Sequence, residues 1–256
     1  MRNVLLILLV CGCISFHTKK NKRFVPPGTA QITETFYADE TEVSNFSWRE
    51  YELWIKTKYG SGSKEHLETL PDTLVWRDPA AYNEPYVNYY YRHFAYKDYP
   101  VVGVSYEQVI AFCKWRTERV REYYSIAFKK KIDLEYTLPS KEQWEFLSNN
   151  GIGIFSNNGR NQKGLALINC RRENDTLIVT GAESQDILAP VYSYYKNRFG
   201  LYNTVGNVSE MVLEKGISKG GSWHHRLEDC RIGKDLVYAK QESWLGFRCV
   251  CTLRQL

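Results

Sequence analysis

The chain has 256 residues, 25% of them charged and 43% hydrophobic, with a net charge of +5 at neutral pH. These are the fractions of a globular protein, long enough for one large domain or two small ones, and they exclude a chain too polar to build a core. The 19 Tyr and 7 Trp bury large areas while keeping a polar handle, which predicts few regular elements and much ordered loop.

The N-terminus comes first. Met1-Arg2-Asn3 is a short basic n-region, and Val4 to Val10 is an apolar run too short to span a bilayer. Val10-Cys11-Gly12-Cys13 then resembles a bacterial lipobox. A small residue precedes the cleavage point, and the Cys13 thiol would carry the lipid as the first residue of the mature chain. An ordinary secretory signal cleaved nearby is the alternative. The run Lys19-Lys20-Asn21-Lys22-Arg23 reads as a basic tether beside anionic headgroups. No nucleic-acid motif accompanies it, so nucleic acid is not an expected partner. Residues 1–12 are thus expected to be a lipoprotein signal, 13–23 a lipidated Cys with a basic linker, and 24–256 one domain.

Phe24 to Thr29 is a turn, and Gln31 to Tyr37 reads as a strand. A first helix is predicted from a cap at Ser44, with Phe46, Tyr51, Leu53 and Trp54 as apolar positions and Gly60 as its stop. Residues 60–100 read as a long ordered loop rich in Tyr and Pro. A second helix opens on the capping box Ser105-Tyr106-Glu107-Gln108, with Val104 and Val109 as a hydrophobic staple and a stripe of Val109, Phe112, Cys113 and Trp115. A third repeats the device at Ser140-Lys141-Glu142-Gln143, followed by Trp144 and Leu147. After residue 150 no long helix is predicted.

Six stretches in order resemble the formylglycine-generating (sulfatase-modifying) enzyme family. They are Phe36 to Asn45; Tyr99 to Ser105 with Phe112-Cys113-Lys114-Trp115; Tyr136-Thr137-Leu138-Pro139 to Glu145; Gly200-Leu201-Tyr202-Asn203-Thr204-Val205-Gly206-Asn207-Val208-Ser209-Glu210; Lys219-Gly220-Gly221-Ser222-Trp223; and Gly246-Phe247-Arg248-Cys249. Thr137 stands where the family usually has Arg. The resemblance implies an α+β fold of the formylglycine-generating-enzyme type, related to C-type lectins, with few helices and much irregular structure. Leu70 to Trp76 with Tyr82-Asn83-Glu84-Pro85-Tyr86 is similar to the gliding-motility and type IX secretion lipoproteins of that family. This implies a lipid anchor in the outer membrane, on its periplasmic face.

The resemblance also implies sites. The family's oxidase binds copper(I) through two cysteines five residues apart after the Gly-Gly-Ser step, because soft thiolates suit that ion. Here the first position is His225 and the second Cys230, with Ser222 near the expected substrate position. One thiolate is missing, so the copper reading stands against a structural or free Cys230 and a loop His225. For calcium, Asn203 and Glu210 would give side-chain oxygens, and Gly206 and Val208 carbonyls. The alternative is a turn in which Asn and Glu bond locally. A second calcium site would fall near Asn169 and Cys170, with Asp186 a candidate acid. Cys113 and Cys249 occupy the positions of a family disulfide, while Cys170, Cys230 and Cys251 have no assigned partners.

Two functions follow. One is a catalytically degenerate envelope protein that docks other envelope proteins through the aromatic 70–100 segment. The other is a copper-dependent oxidase that converts a sulfatase cysteine to formylglycine. Ligand binding by analogy with lectins rests on the fold alone.

Overall fold

A computed structural model describes residues 24–80, 83–149, 155, 158–171 and 188–254. The signal, Cys13, the basic linker and Asp186 lie outside the described residues. Among these residues the chain forms short strands, five α-helices and long ordered connections. That is the mixed α+β architecture the resemblance implied, with the abundant ordered loop the composition predicted.

The first strand is two. β1 (Thr29–Gln31) and β2 (Phe36–Asp39) form an antiparallel hairpin rather than one strand over 31–37. The Phe36 carbonyl accepts from both the Ile32 and Thr33 amides, and the Thr33 hydroxyl accepts from the Phe36 amide. These local bonds break the alternation that reads as continuous in the sequence.

α1 (Asn45–Tyr59) starts at Ser44, whose hydroxyl accepts from the Ser47 amide, and ends at Gly60. Its buried face is Asn45, Trp48 and Tyr51. Of the expected apolar positions, Tyr51 is buried and Trp54 half-buried, while Phe46 and Leu53 point to solvent, so the buried stripe keeps Tyr51 and adds Trp48 and Asn45. Residues 60–100 are not a featureless loop. α2 (Lys64–Leu67), a 3₁₀ turn (Thr73–Trp76), α3 (Glu84–Tyr89) and a second 3₁₀ turn (Phe94–Tyr96) succeed one another.

α4 (Tyr106–Phe128) and α5 (Lys141–Ser148) carry both halves of the predicted capping boxes at Ser105/Gln108 and Ser140/Gln143. Val104 and Val109 are both buried in one cluster, as a staple requires. β3 (Asp133–Thr137) lies between these helices. The later chain supplies β4 (Ser209–Met211), β5 (Ile217–Lys219), β6 (Leu236–Val237), β7 (Leu245–Gly246) and β8 (Val250–Arg254).

Two sheets result. The first has the order β1-β2-β8-β3 and is antiparallel throughout; the second has the order β6-β5-β4-β7 and closes on a parallel β4–β7 pair. α4 covers the first sheet, where the Thr117 hydroxyl accepts from the Tyr136 amide at 2.9 Å. The main core gathers Trp48, stacked on Phe112 with ring centroids 5.3 Å apart, and Phe247 edge-on to both. The second sheet, and the connections that lead into and out of it, hold the functional candidates.

Candidate functional site

β5 ends on Lys219, a lysine with no exposed side-chain surface. Its ammonium meets Glu145 Oε1 at 2.6 Å and Asp235 Oδ1 at 2.9 Å, and it lies near the Trp144 ring. A buried ammonium requires such partners, so the start of the Gly220-Gly221-Ser222 turn is fixed by α5 on one side and residue 235 on the other.

Within the turn, Ser222 Oγ and His225 Nδ1 are 2.7 Å apart, and Ser222 Oγ also accepts from the His224 amide. The His225 ring packs edge-on against Trp244 at 4.7 Å. Burial, with a smaller contribution from neighbouring His224, lowers its pKa to about 4. His225 is therefore a neutral imidazole at physiological pH, with one ring nitrogen committed to Ser222.

Cys230 ends a 3₁₀ turn (Leu227–Cys230) and is fully buried. Its thiol lies 3.4 Å from the Arg226 carbonyl. A hydrogen bond with the Cys170 thiol, reinforced by burial, holds Cys230 well above the usual cysteine range. Cys170 is delivered by the neighbouring chain segment: the Arg171 amide donates to the His225 carbonyl at 2.8 Å, and Arg171 bridges Arg226 in parallel. Ser222, His225 and Cys230 thus share one loop, but His225 faces Ser222 while Cys230 faces Cys170. As placed, each donor is committed elsewhere, His225 Nδ1 to Ser222 and the Cys230 thiol to Cys170, so the two present no ready copper(I) pair. Among the described residues no group of three or more His, Cys, Asp or Glu is arranged to hold a metal ion. The role of Cys170 was not readable in advance, because cysteine pairing does not follow from spacing.

The segment 203–210 runs between these loops. The Gly206 amide donates to Gly220 and the Asn207 amide to Asn169. Gly206 has φ +80°, and a Cβ there would lie 2.6 Å from the Asn169 carbonyl oxygen, so the two backbones approach as closely as glycine permits. Asn207 is a hub the sequence did not single out. Its side chain donates to Glu42 (2.8 Å) and to the Ala189 carbonyl, and it accepts from Asn169 and from the Ala189 amide. Asn203 donates to Glu42 and to the Val191 carbonyl.

Glu210 is wholly committed. Arg248 Nε lies 2.9 and 2.7 Å from its two oxygens, Arg248 Nη2 2.6 Å from Oε1, and Trp144 Nε1 2.7 Å from Oε2. A hard cation needs carboxylate charge that is not already neutralised. The set Asn203, Gly206, Val208 and Glu210 as placed does not fit calcium with Glu210 as the charged ligand, nor is it a turn bonded only to itself: Asn203 and Glu210 bond to Glu42, Trp144 and Arg248 from distant parts of the chain. At the second expected site, the Asn169 carbonyl is taken by the Asn207 amide.

With Arg248 forked onto Glu210, nearby Glu42 is left without a full counter-charge. Burial raises its pKa to about 8, Arg248 pulling it down and Glu210 pushing it up. Folded Glu42 holds its proton at neutral pH, whereas its ordinary value is 4.5. The folded state thus binds the proton more tightly, so its contribution is complete below about 4.5 and falls as the pH rises toward about 8. Chemical denaturation across that range is expected to show this decline, on the order of a few kcal/mol, and Glu42→Gln is expected to remove it. Identical slopes for the two proteins would sink the assignment.

Two further expectations concern the surroundings. Cys113 and Cys249 are buried, with sulfurs 3.6 Å apart as free thiols. The 70–100 aromatics mostly turn inward: Trp76 stacks with Trp223 at 6.2 Å, and Tyr86, Tyr90, Tyr96 and Tyr99 join the same cluster. This segment therefore roofs Trp223, the residue beside Ser222. Among the described residues, Tyr89 and Phe94 are its exposed Tyr and Phe rings, at 55% and 69%.

The two sheets, the irregular connections and the Gly-Gly-Ser turn define a protein of the class the motifs suggested. The chain belongs to the family of the sulfatase-modifying factor enzyme 1-like domain, whose model matches residues 3–253. Formylglycine-generating enzymes of Mus musculus and Bos taurus are each 27% identical over 163 residues, which is 60% of this chain. The match spans 37% of each relative, about a third of its length. The crystal structure of CarF shares the fold, with a TM-score of 0.54 and 17% identity, covering 89% of this chain and 96% of that one.

Proposed function

We propose that this sulfatase-modifying-factor-like domain does not perform copper-dependent oxidation and acts as an interaction component of a cell-envelope assembly. The reading places it at the outer membrane, held by lipid on Cys13. The observation that carries the loss of chemistry is the commitment of the two donors to different partners, His225 to Ser222 and Cys230 to Cys170. Support for an envelope role comes from the lipobox-like Val10-Cys11-Gly12-Cys13 and from Leu70 to Trp76 with Tyr82 to Tyr86, which resemble the gliding-motility and type IX secretion lipoproteins. Exposed Tyr89 and Phe94 offer anchors of the kind interfaces favour. Envelope proteins and the membrane are the partners in this reading.

The competing function is a formylglycine-generating oxidase, and the retained Cys230 is the observation in its favour. Titration of the full chain, first reduced with a phosphine and desalted, with copper(I) held reduced by ascorbate separates the two. The expected result is no binding that depends on Cys230, judged against Cys230→Ser. Tight binding abolished by that substitution would overturn the non-oxidase reading. For the anchor, Cys13→Ser is expected to move the expressed chain from the membrane to the soluble fraction, and unchanged membrane retention would refute lipidation at Cys13.

A further inference from the structure

The pairing of Cys170 with Cys230 stands apart from both functional readings. Both side chains are buried, in a small apolar cluster with Leu167, Ile168 and Val205, closed by Leu227 and Ile232. The backbones that carry them are tied together by the Arg171–His225 hydrogen bond and the Arg171–Arg226 bridge. Gly221 lets the Cys230 sulfur in, for any Cβ at 221 would collide with it. The pair is thus placed by two chain segments and a glycine turn.

We propose that Cys170 and Cys230 form a redox-active disulfide, and that its state decides whether Cys230 is available to any ligand. A small-molecule or protein disulfide serves as oxidant. One cysteine loses its proton and attacks a sulfur of that disulfide, releasing one thiol and forming a mixed disulfide. The second cysteine loses its proton and displaces the remaining oxidant sulfur as a thiol. Two thiols are oxidised, one S–S bond forms, and the oxidant takes up two electrons and the two protons. In the bonded form Cys230 can serve neither as nucleophile nor as soft-metal ligand. The cysteines of the domain then sort into Cys113 beside Cys249, Cys170 bonded to Cys230, and Cys251 alone on β8.

The test uses the full chain equilibrated in buffers of varied oxidised to reduced glutathione, alkylated, and digested with trypsin without reduction. Cleavage after Lys163, Arg171, Arg226 and Arg231 isolates peptides 164–171 and 227–231, each with one cysteine. The expected result is a linked species of these two peptides that rises with the oxidised fraction, splits on reduction, and is unchanged in Cys251→Ser. Recovery of both peptides singly alkylated at every ratio, or of either linked to a different cysteine, would overturn the proposal. Copper binding is read separately, so the failure of one idea leaves the other measurable.

Discussion

Arg248→Met is expected to destabilise the domain by about 3–5 kcal/mol, because it strands the Glu210 carboxylate without its counter-charge. Arg248 has no exposed surface, and Glu210 is 1% exposed. The guanidinium also donates to the Asp39 and Tyr202 carbonyls, so it ties β4 to the end of the β2 strand and to the segment before Asn203. Pairing the substitution with Glu210→Gln removes the charge while leaving an acceptor for Trp144 Nε1. The double variant is expected to recover more than half of the loss in urea denaturation. A double variant no more stable than Arg248→Met alone would show that the carbonyl contacts, and not the charge, dominate.

Gly221→Ala is expected to cost about 3 kcal/mol or more, combining overpacking of 1–3 kcal/mol with the roughly 1–2 kcal/mol strain of a left-handed alanine. Gly221 has φ +65°, and its added Cβ would meet the Cys230 sulfur and lie 2.9 Å from the Cys230 Cα. The sulfur is only part of the obstacle. Cys230→Ala in the same chain is therefore expected to restore a fraction of the loss, with the backbone contact accounting for the rest. Thermal unfolding of the two single variants and the double variant measures this. Full rescue would place the whole cost on the thiol, and no rescue would place it on the backbone.

The helices were legible where their ends are chemically marked. Ser105/Gln108 and Ser140/Gln143 are complete capping boxes, and a box is a local device that needs no distant partner to be read. The face of α1 was not legible in the same way. Trp48 is buried because Phe112, Phe247 and the Thr69 carbonyl come to it from other elements, while Leu53, equally apolar, faces solvent. The helical turns within 60–100 are too short to show periodicity. The family was readable from ordered motifs, and the relative placement of its residues was not. His225, Cys230 and Ser222 lie close in sequence, yet the partner of Cys230 arrives from residue 170, a pairing that nothing local encodes. Glu42 and Asn207 sit in recognised motifs, but their joint role depends on the loops at 169 and 189, which only the folded chain brings together.

The position of β8 has a consequence for the order of folding. It is the last described strand, yet it lies inside its sheet, pairing with β2 at Tyr37–Cys251 and with β3 at Tyr136–Cys251. Without β8 the first hairpin has no neighbour on that side and β3 has no partner. Because distant pairing must wait for its partners, this sheet closes only after residues 250–254 are in place. A truncation before residue 250 would leave two unconnected edges in place of one sheet.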